Sequence, residues 1–171
     1  MWVHAIFATK YREAQIFPSI EQQVHQFLFD QLVVSGCYVD CINGIPDHIH
    51  IQFLLNPKKA LSDVIGFVKG GSSHLINQSG LLNSKFAWQV GYAAFSVSES
   101  KTPVVRRYIQ QQKLHHLGKN YAEELEWLER MHGILSDSTE SDPPQNIAGF
   151  FPEQPPDEKE PEPDDNSKSG G

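Results

Sequence analysis

Patterns read in the order strand, helix, strand, strand, helix, strand, then helices predict an α+β fold of the split βαβ, ferredoxin-like type. Such a fold is an antiparallel sheet with two helices on one face. Three observations carry the prediction: strict alternation over residues 48–55, a turn at Gly44-Ile45-Pro46-Asp47 between two hydrophobic runs, and helical signals on either side of that hairpin.

An apolar run over residues 2–9 is the first strand. The helix over 19–35 carries a capping box, Ser19 with Gln22 three positions on, and Gly36 stops it. Strands over 37–45 and 48–55 flank the turn as a hairpin. In the second of these, Ile49, Ile51, Phe53 and Leu55 share one face and His48 and His50 the other, with α carbons about 6.6 Å apart. A helix over 60–78 contains Gly70-Gly71, each glycine costing about 1 kcal/mol relative to Ala, so a bend or break is expected there. A long apolar strand over 86–98 follows, in which Trp88 and Tyr92 are either core residues or exposed stacking platforms. Thr102 as N-cap and Pro103 at the first helical position start a helix over 102–117, and a last helix lies near 120–131.

The chain has 171 residues, 14 Lys and Arg against 21 Asp and Glu, and a formal charge of −7. That balance argues against a nucleic-acid partner only if it is uniform, and it is not. Residues 1–133 hold 12 basic and 11 acidic side chains, whereas 134–171 hold 2 and 10. The expected organisation is a folded domain over 1–133 and an acidic, proline-rich, disordered tail over 134–171, whose composition buries too little apolar surface to offset chain entropy. Only Ile147–Phe151 in that tail is apolar enough to dock on a folded surface. Cys37 and Cys41, about 13 Å apart if they share a strand, are beyond disulfide reach and suit a reducing compartment. With no charged leader and no apolar stretch near twenty residues, a soluble, cytoplasmic protein without membrane contact is expected.

His48 and His50 on one strand face form a candidate half-site for a metal, with an exposed pair of histidines as the alternative. On the 102–117 helix Tyr108 and Gln112, four apart, share a face. A phenol beside an amide oxygen offers a nucleophile next to a hard ligand, although packing and solvation explain such residues equally well.

Taken together, Pro46-Asp-His-Ile-His-Ile51, Phe86-Ala-Trp-Gln-Val-Gly-Tyr-Ala-Ala-Phe-Ser-Val-Ser98, Arg106-Arg-Tyr-Ile-Gln-Gln-Gln112, the opening His4–Arg12 and Phe67–His74 resemble the single-tyrosine HUH transposases of small insertion sequences and their REP-associated relatives. The resemblance spans roughly residues 2–133. It implies that Tyr108 is the nucleophile and that His48, His50 and Gln112 bind a divalent metal, Mg²⁺ or Mn²⁺. It further implies a homodimer that nicks and rejoins single-stranded DNA at hairpin-forming element ends through a 5′-phosphotyrosine bond. Lys10, Arg12, Lys69, Arg106, Arg107 and Lys113 are the candidate DNA contacts. Two other readings stay open: a non-catalytic single-strand-binding module of RNA-recognition-like fold, and a domesticated nickase acting on repeats.

Overall fold

The structure, a computed structural model, describes residues 1–115 together with Leu128 and Arg130, and the side chains of these up to Lys113 and at 128 and 130. The expected last helix, apart from those two positions, and the acidic tail lie outside the described residues. Four strands, β1 (Trp2–Ala8), β2 (Tyr38–Ile45), β3 (His48–Leu54) and β4 (Ala93–Val97), form one antiparallel sheet in the order β2-β3-β1-β4. Helices α1 (Pro18–Val34) and α2 (Leu61–Gln78) come between the strands, and α3 (Thr102–Gln110) and α4 (Gln112–His115) follow them. This is the split βαβ arrangement that the sequence predicts.

Alternation along the central strands divides the hydrophobic residues between two cores. Val3, Ala5 and Phe7 of β1 and Ile49, Ile51 and Phe53 of β3 meet Val24, Leu28 and Leu32 of α1 and Val64, Ile65, Val68 and Ile76 of α2. On the other face Ile6, Ala93, Phe95 and Val97 pack with Val105, Tyr108 and Ile109 of α3 and with Leu128. Because successive side chains point to opposite faces, His48, His50 and Gln52 lie on that second face, under α3. A sheet covered on both faces explains why all but the last residue of β3 is buried.

Several local expectations are corrected. Helix α1 begins at Pro18 with Phe17 as its N-cap and no side-chain cap bond, so Ser19 and Gln22 form no capping box. Proline at the first position, with its φ preset and no N–H to satisfy, moves the start one residue earlier. Gly36 does end the helix, in the left-handed region at φ 75°. Thr102 is the first residue of α3 rather than its cap, and its Oγ1 donates to the Glu99 carbonyl across a 3₁₀ turn, Glu99–Lys101. Helix α2 runs unbroken through Gly70-Gly71. There Gly71 faces Gln31 of α1, whose side chain occupies the space a Cβ would take, so the glycine serves close helix packing.

The largest difference concerns the strand expected over 86–98, of which only Ala93–Val97 is strand. Upstream, Thr9 and Trp88 form an isolated bridge, Asn77 binds both the N–H and the carbonyl of Phe86, and the Lys69 ammonium donates to the carbonyls of Gln89, Val90 and Gly91 at 2.5, 3.0 and 2.8 Å. Side chains of α2 thus capture the backbone groups a ladder would have used. Trp88 is core: its ring packs edge-on against Phe7 and Phe86, and its Nε1 donates to Ser72 Oγ. Finally, the helix expected over 102–117 breaks at Gln111, whose N–H is shared between the carbonyls of Arg107 and Tyr108, and restarts as α4. No helix among the described residues is long and apolar enough to cross a membrane.

Candidate active site

Beneath α3, β1 and β3 present a row of polar side chains that are almost wholly buried: His4, His48, His50 and Gln52, with exposures of 0–1 %. The His48 and His50 rings are 5.1 Å apart between centroids. Tyr108, only 5 % exposed, descends from α3 so that its ring lies 5.7 Å from that of His50. Imidazole pair and phenol therefore meet within one chain. Gln112 follows on α4 and is fully buried.

Three polar anchors dock α3 on the sheet. A β-bulge between Val39 and Cys41 turns the Asp40 carboxylate to the Arg106 guanidinium, with Nη2 to Oδ1 at 2.6 Å and Nε to Oδ2 at 2.8 Å. Gln52 Nε2 donates both to Asp40 and to the Thr102 carbonyl at the start of the helix. At its other end Asn43 Nδ2 donates to the carbonyls of Ile109 (2.8 Å) and Gln110 (3.1 Å). These are among the terminal carbonyls that a helix leaves without an internal partner. Asn43 pairs with His50 in the sheet register, so this last anchor fixes the Tyr108 turn directly above that histidine.

Ring orientation is fixed as well. His48 Nδ1 is 2.7 Å from Asp47 Oδ1, and Arg12 Nε and Nη2 donate to the other carboxylate oxygen at 3.0 and 2.9 Å. A carboxylate only accepts, so His48 Nδ1 donates to Asp47, with Arg12 Nη2 also 3.2 Å from that nitrogen, and in the neutral ring the lone pair then stands on Nε2. Burial raises the Asp47 carboxyl, but the hydrogen bond and charge of His48 and then of Arg12 outweigh it and hold the group below the ordinary carboxylate range. Tyr11 and Arg12 both have positive φ, 57° and 56°, a strained turn that brings the guanidinium back over Asp47. His50 is placed by a second histidine, since its Nδ1 is 3.0 Å from Nε2 of His4.

Among the described residues no three His, Cys, Asp or Glu side chains converge as a metal cluster. The donor set still suits a divalent ion if the third ligand is an amide. Two imidazoles whose Nδ1 atoms are engaged elsewhere would present Nε2, and the buried Gln112 would present its carbonyl oxygen, a borderline and hard combination.

The six basic candidates are dispersed. Arg12 and Arg106 are held by Asp47 and Asp40, Lys113 by Glu21, and Lys69 by three carbonyls on the side of the sheet covered by α1 and α2. Lys10 is exposed beside the Tyr11 ring, and Arg107 is exposed on α3. Sequence reasoning missed His4, Asp40, Asn43, Asp47 and Gln52 as site residues. Their signal was polarity inside predicted strands, or in the case of Asp47 in the turn that joins two of them.

Comparison with known proteins gives the family. Residues 1–112 match the family described as Transposase IS200 like. The ISDra2 transposase TnpA of Deinococcus radiodurans is 25 % identical over 114 residues, 64 % of this chain and 81 % of the relative. The transposase for insertion sequence element IS200 of Salmonella typhimurium is 28 % identical over 114 residues, 64 % and 74 % of the two chains. A crystal structure of a candidate transposase from Deinococcus radiodurans shares the fold at a TM-score of 0.54 and 23 % identity, covering 66 % of this chain and 90 % of that one. So does a REP-associated tyrosine transposase, at 0.54 and 12 %, covering 82 % and 86 %. With the family match extending over the whole sheet, both site histidines, Tyr108 and Gln112, this chain belongs to the IS200-like transposases, enzymes that act on DNA.

Proposed function

We propose that this transposase nicks and rejoins single-stranded DNA through a covalent bond to Tyr108, with a divalent metal, Mg²⁺ or Mn²⁺, held by His48, His50 and Gln112. The observation that carries the reading is the 5.7 Å approach of the Tyr108 ring to His50, itself 5.1 Å from His48. An ion bound there supplies Lewis acidity, which polarises the scissile phosphate and offsets charge on the departing oxygen. Tyr108 attacks in line: its phenol oxygen bonds to phosphorus, its proton passes to solvent, and the phosphorus bond to the 3′ oxygen breaks. The products are a 5′-phosphotyrosine and a strand ending in a 3′-hydroxyl. The new diester keeps the energy of the old one, so another 3′-hydroxyl can displace the tyrosine and join new ends without ATP.

The dry setting of Tyr108 suits this role, since a phosphotyrosine shielded from water survives until strand exchange. A related REP-associated tyrosine transposase has been solved bound to a REP hairpin, which supports hairpin-forming DNA as the partner. Lys10 and Arg107 are candidate phosphate contacts with solvent-exposed side chains, as is Lys113 beside Glu21, and Arg12 and Arg106 are held near the site by Asp47 and Asp40. Lys69 completes the proposed set. Among the described residues β4 is an edge strand, five residues long, and its outer side is the proposed seam of a homodimer. Residues 1–133 constitute the DNA-processing domain in this reading, with 134–171 as an appended tail.

The test is incubation with labelled single-stranded oligonucleotide and Mn²⁺. A covalent protein–DNA adduct is expected on a denaturing gel, absent with chelator and absent in Tyr108→Phe. An adduct of undiminished yield in Tyr108→Phe refutes the nucleophile assignment.

A further inference from the structure

We propose that His4 is a positioning residue that sets the tautomer and rotation of His50, so that His50 offers Nε2 to the metal. The proposal rests on the metal reading above and extends it to a residue that touches neither ion nor substrate. His4 is fully buried in β1. A buried imidazole is retained at a cost unless its nitrogens are bonded, and one of them, Nε2, lies 3.0 Å from His50 Nδ1. The two rings are tilted to one another, 5.3 Å between centroids with 31° between planes. Phe95 and Tyr108 wall His4 at 6.0 and 6.2 Å, so its ring is held by packing on three sides.

A single proton between His4 and His50 has two arrangements. If His4 Nε2 donates, His50 Nδ1 accepts, the other His50 proton sits on Nε2, and that nitrogen has no lone pair for a cation. If His50 Nδ1 donates to His4 Nε2, the lone pair stands on His50 Nε2. Only the second arrangement binds metal, and only an acceptor fixed at the position of His4 Nε2 supports it. His48 receives the equivalent service from the carboxylate of Asp47. The two imidazoles are thus oriented by different partners, one anionic at the rim and one neutral in the core. Loss of such outer partners lowers metal affinity by roughly 10–100-fold in comparable sites.

Calorimetric titration of the full chain with Mn²⁺ tests the proposal in His4→Phe, which keeps the ring but removes the acceptor, and His4→Gln, whose amide oxygen can reach the same point. His4→Phe is expected to weaken Mn²⁺ binding about 10–100-fold and His4→Gln by no more than about 3-fold. Unchanged affinity in His4→Phe overturns the proposal, as does equal weakening in both variants, which marks a packing role alone. If His4→Phe does not fold, ¹⁵N-histidine spectra of the wild-type protein with Mg²⁺ decide the matter. A proton on His50 Nδ1 supports the assignment and one on Nε2 overturns it. Wild-type protein that takes up no Mn²⁺ removes the metal reading itself, and this inference with it, which is distinct from uptake that His4→Phe leaves unaltered.

Discussion

Replacing Asn43 separates positioning from metal binding. Its Nδ2 donates to the carbonyls of Ile109 and Gln110, one partly buried and one exposed, and ties the end of α3 to the strand opposite His50. A net 0.5–1.5 kcal/mol per hydrogen bond puts the stability loss of Asn43→Ala at about 1–2 kcal/mol, with the exposed bond near the lower limit. The kinetic effect should be larger. Tyr108 is the next residue before Ile109, and a displacement of about 1 Å in a reacting group can reduce a rate on the order of 10²-fold. The proposed ligands His48 and His50 are on β3 and keep their partners Asp47 and His4, so Mn²⁺ affinity should stay within about 3-fold. Single-turnover adduct formation at saturating Mn²⁺, beside a calorimetric titration, reads both. Asn43→Asp should be slower still, because a carboxylate would face two carbonyl oxygens. Adduct formation at the wild-type rate in Asn43→Ala, with the expected loss of stability, would show that this anchor does not position Tyr108.

Other perturbations address the scaffold. A Cβ on Gly44 would collide with the His48 carbonyl oxygen and stand 3.0 Å from Ile49 Cα, so Gly44→Ala must shift the β3 backbone. It should cost about 1–3 kcal/mol in urea unfolding and weaken Mn²⁺ binding, and a variant of wild-type affinity would contradict the close approach. Burial, assisted by the neighbouring Asp40, pushes the Cys41 thiol up to about 12, and Cys37 is buried. At pH 9 the native protein should therefore resist thiol reagents and react at two thiols only in denaturant; rapid native labelling would exclude the packing described for them. Lys69→Met withdraws a cation from three carbonyls and should lower stability by about 1–3 kcal/mol while speeding amide exchange in residues 86–92. Unaltered exchange there would mean that the segment is held without Lys69, by Asn77, Trp88 and the backbone bridge to Ala8–Lys10.

Where structure follows from local periodicity, the sequence was readable. The alternation in β3 shows both which side chains enter the first core and which face carries the histidines, and a two-residue turn at Pro46-Asp47 leaves little freedom of register. Tyr108 and Gln112 were legible as a pair four residues apart, yet they belong to two short helices, because the break at Gln111 arises from backbone bonding that no residue type announces. Residues 86–92 read as strand from their aromatics, but beyond one bridge to the end of β1 their backbone partners are Lys69 and Asn77, side chains from a helix whose position is a tertiary fact. His4 lay within a run read only as an apolar strand. Its meaning lies in the register that sets Ile6 opposite His50 and His4 one step along, diagonal to the ring it bonds. Asp40 gained its contact through a bulge, which shifts alternation by one residue and defeats any count of two.

The claim on which the rest depends is that Tyr108 forms the bond to DNA beside the His48–His50 pair. Mass-spectrometric mapping tests it directly: protein and single-stranded DNA react with Mn²⁺, nuclease trims the adduct, and peptides are searched for attached nucleotide. One modified peptide is expected, with the nucleotide on Tyr108, and its loss in His48→Ala protein that remains folded. Nucleotide on Tyr11 or another residue, or on Tyr108 at full yield without His48, would contradict it.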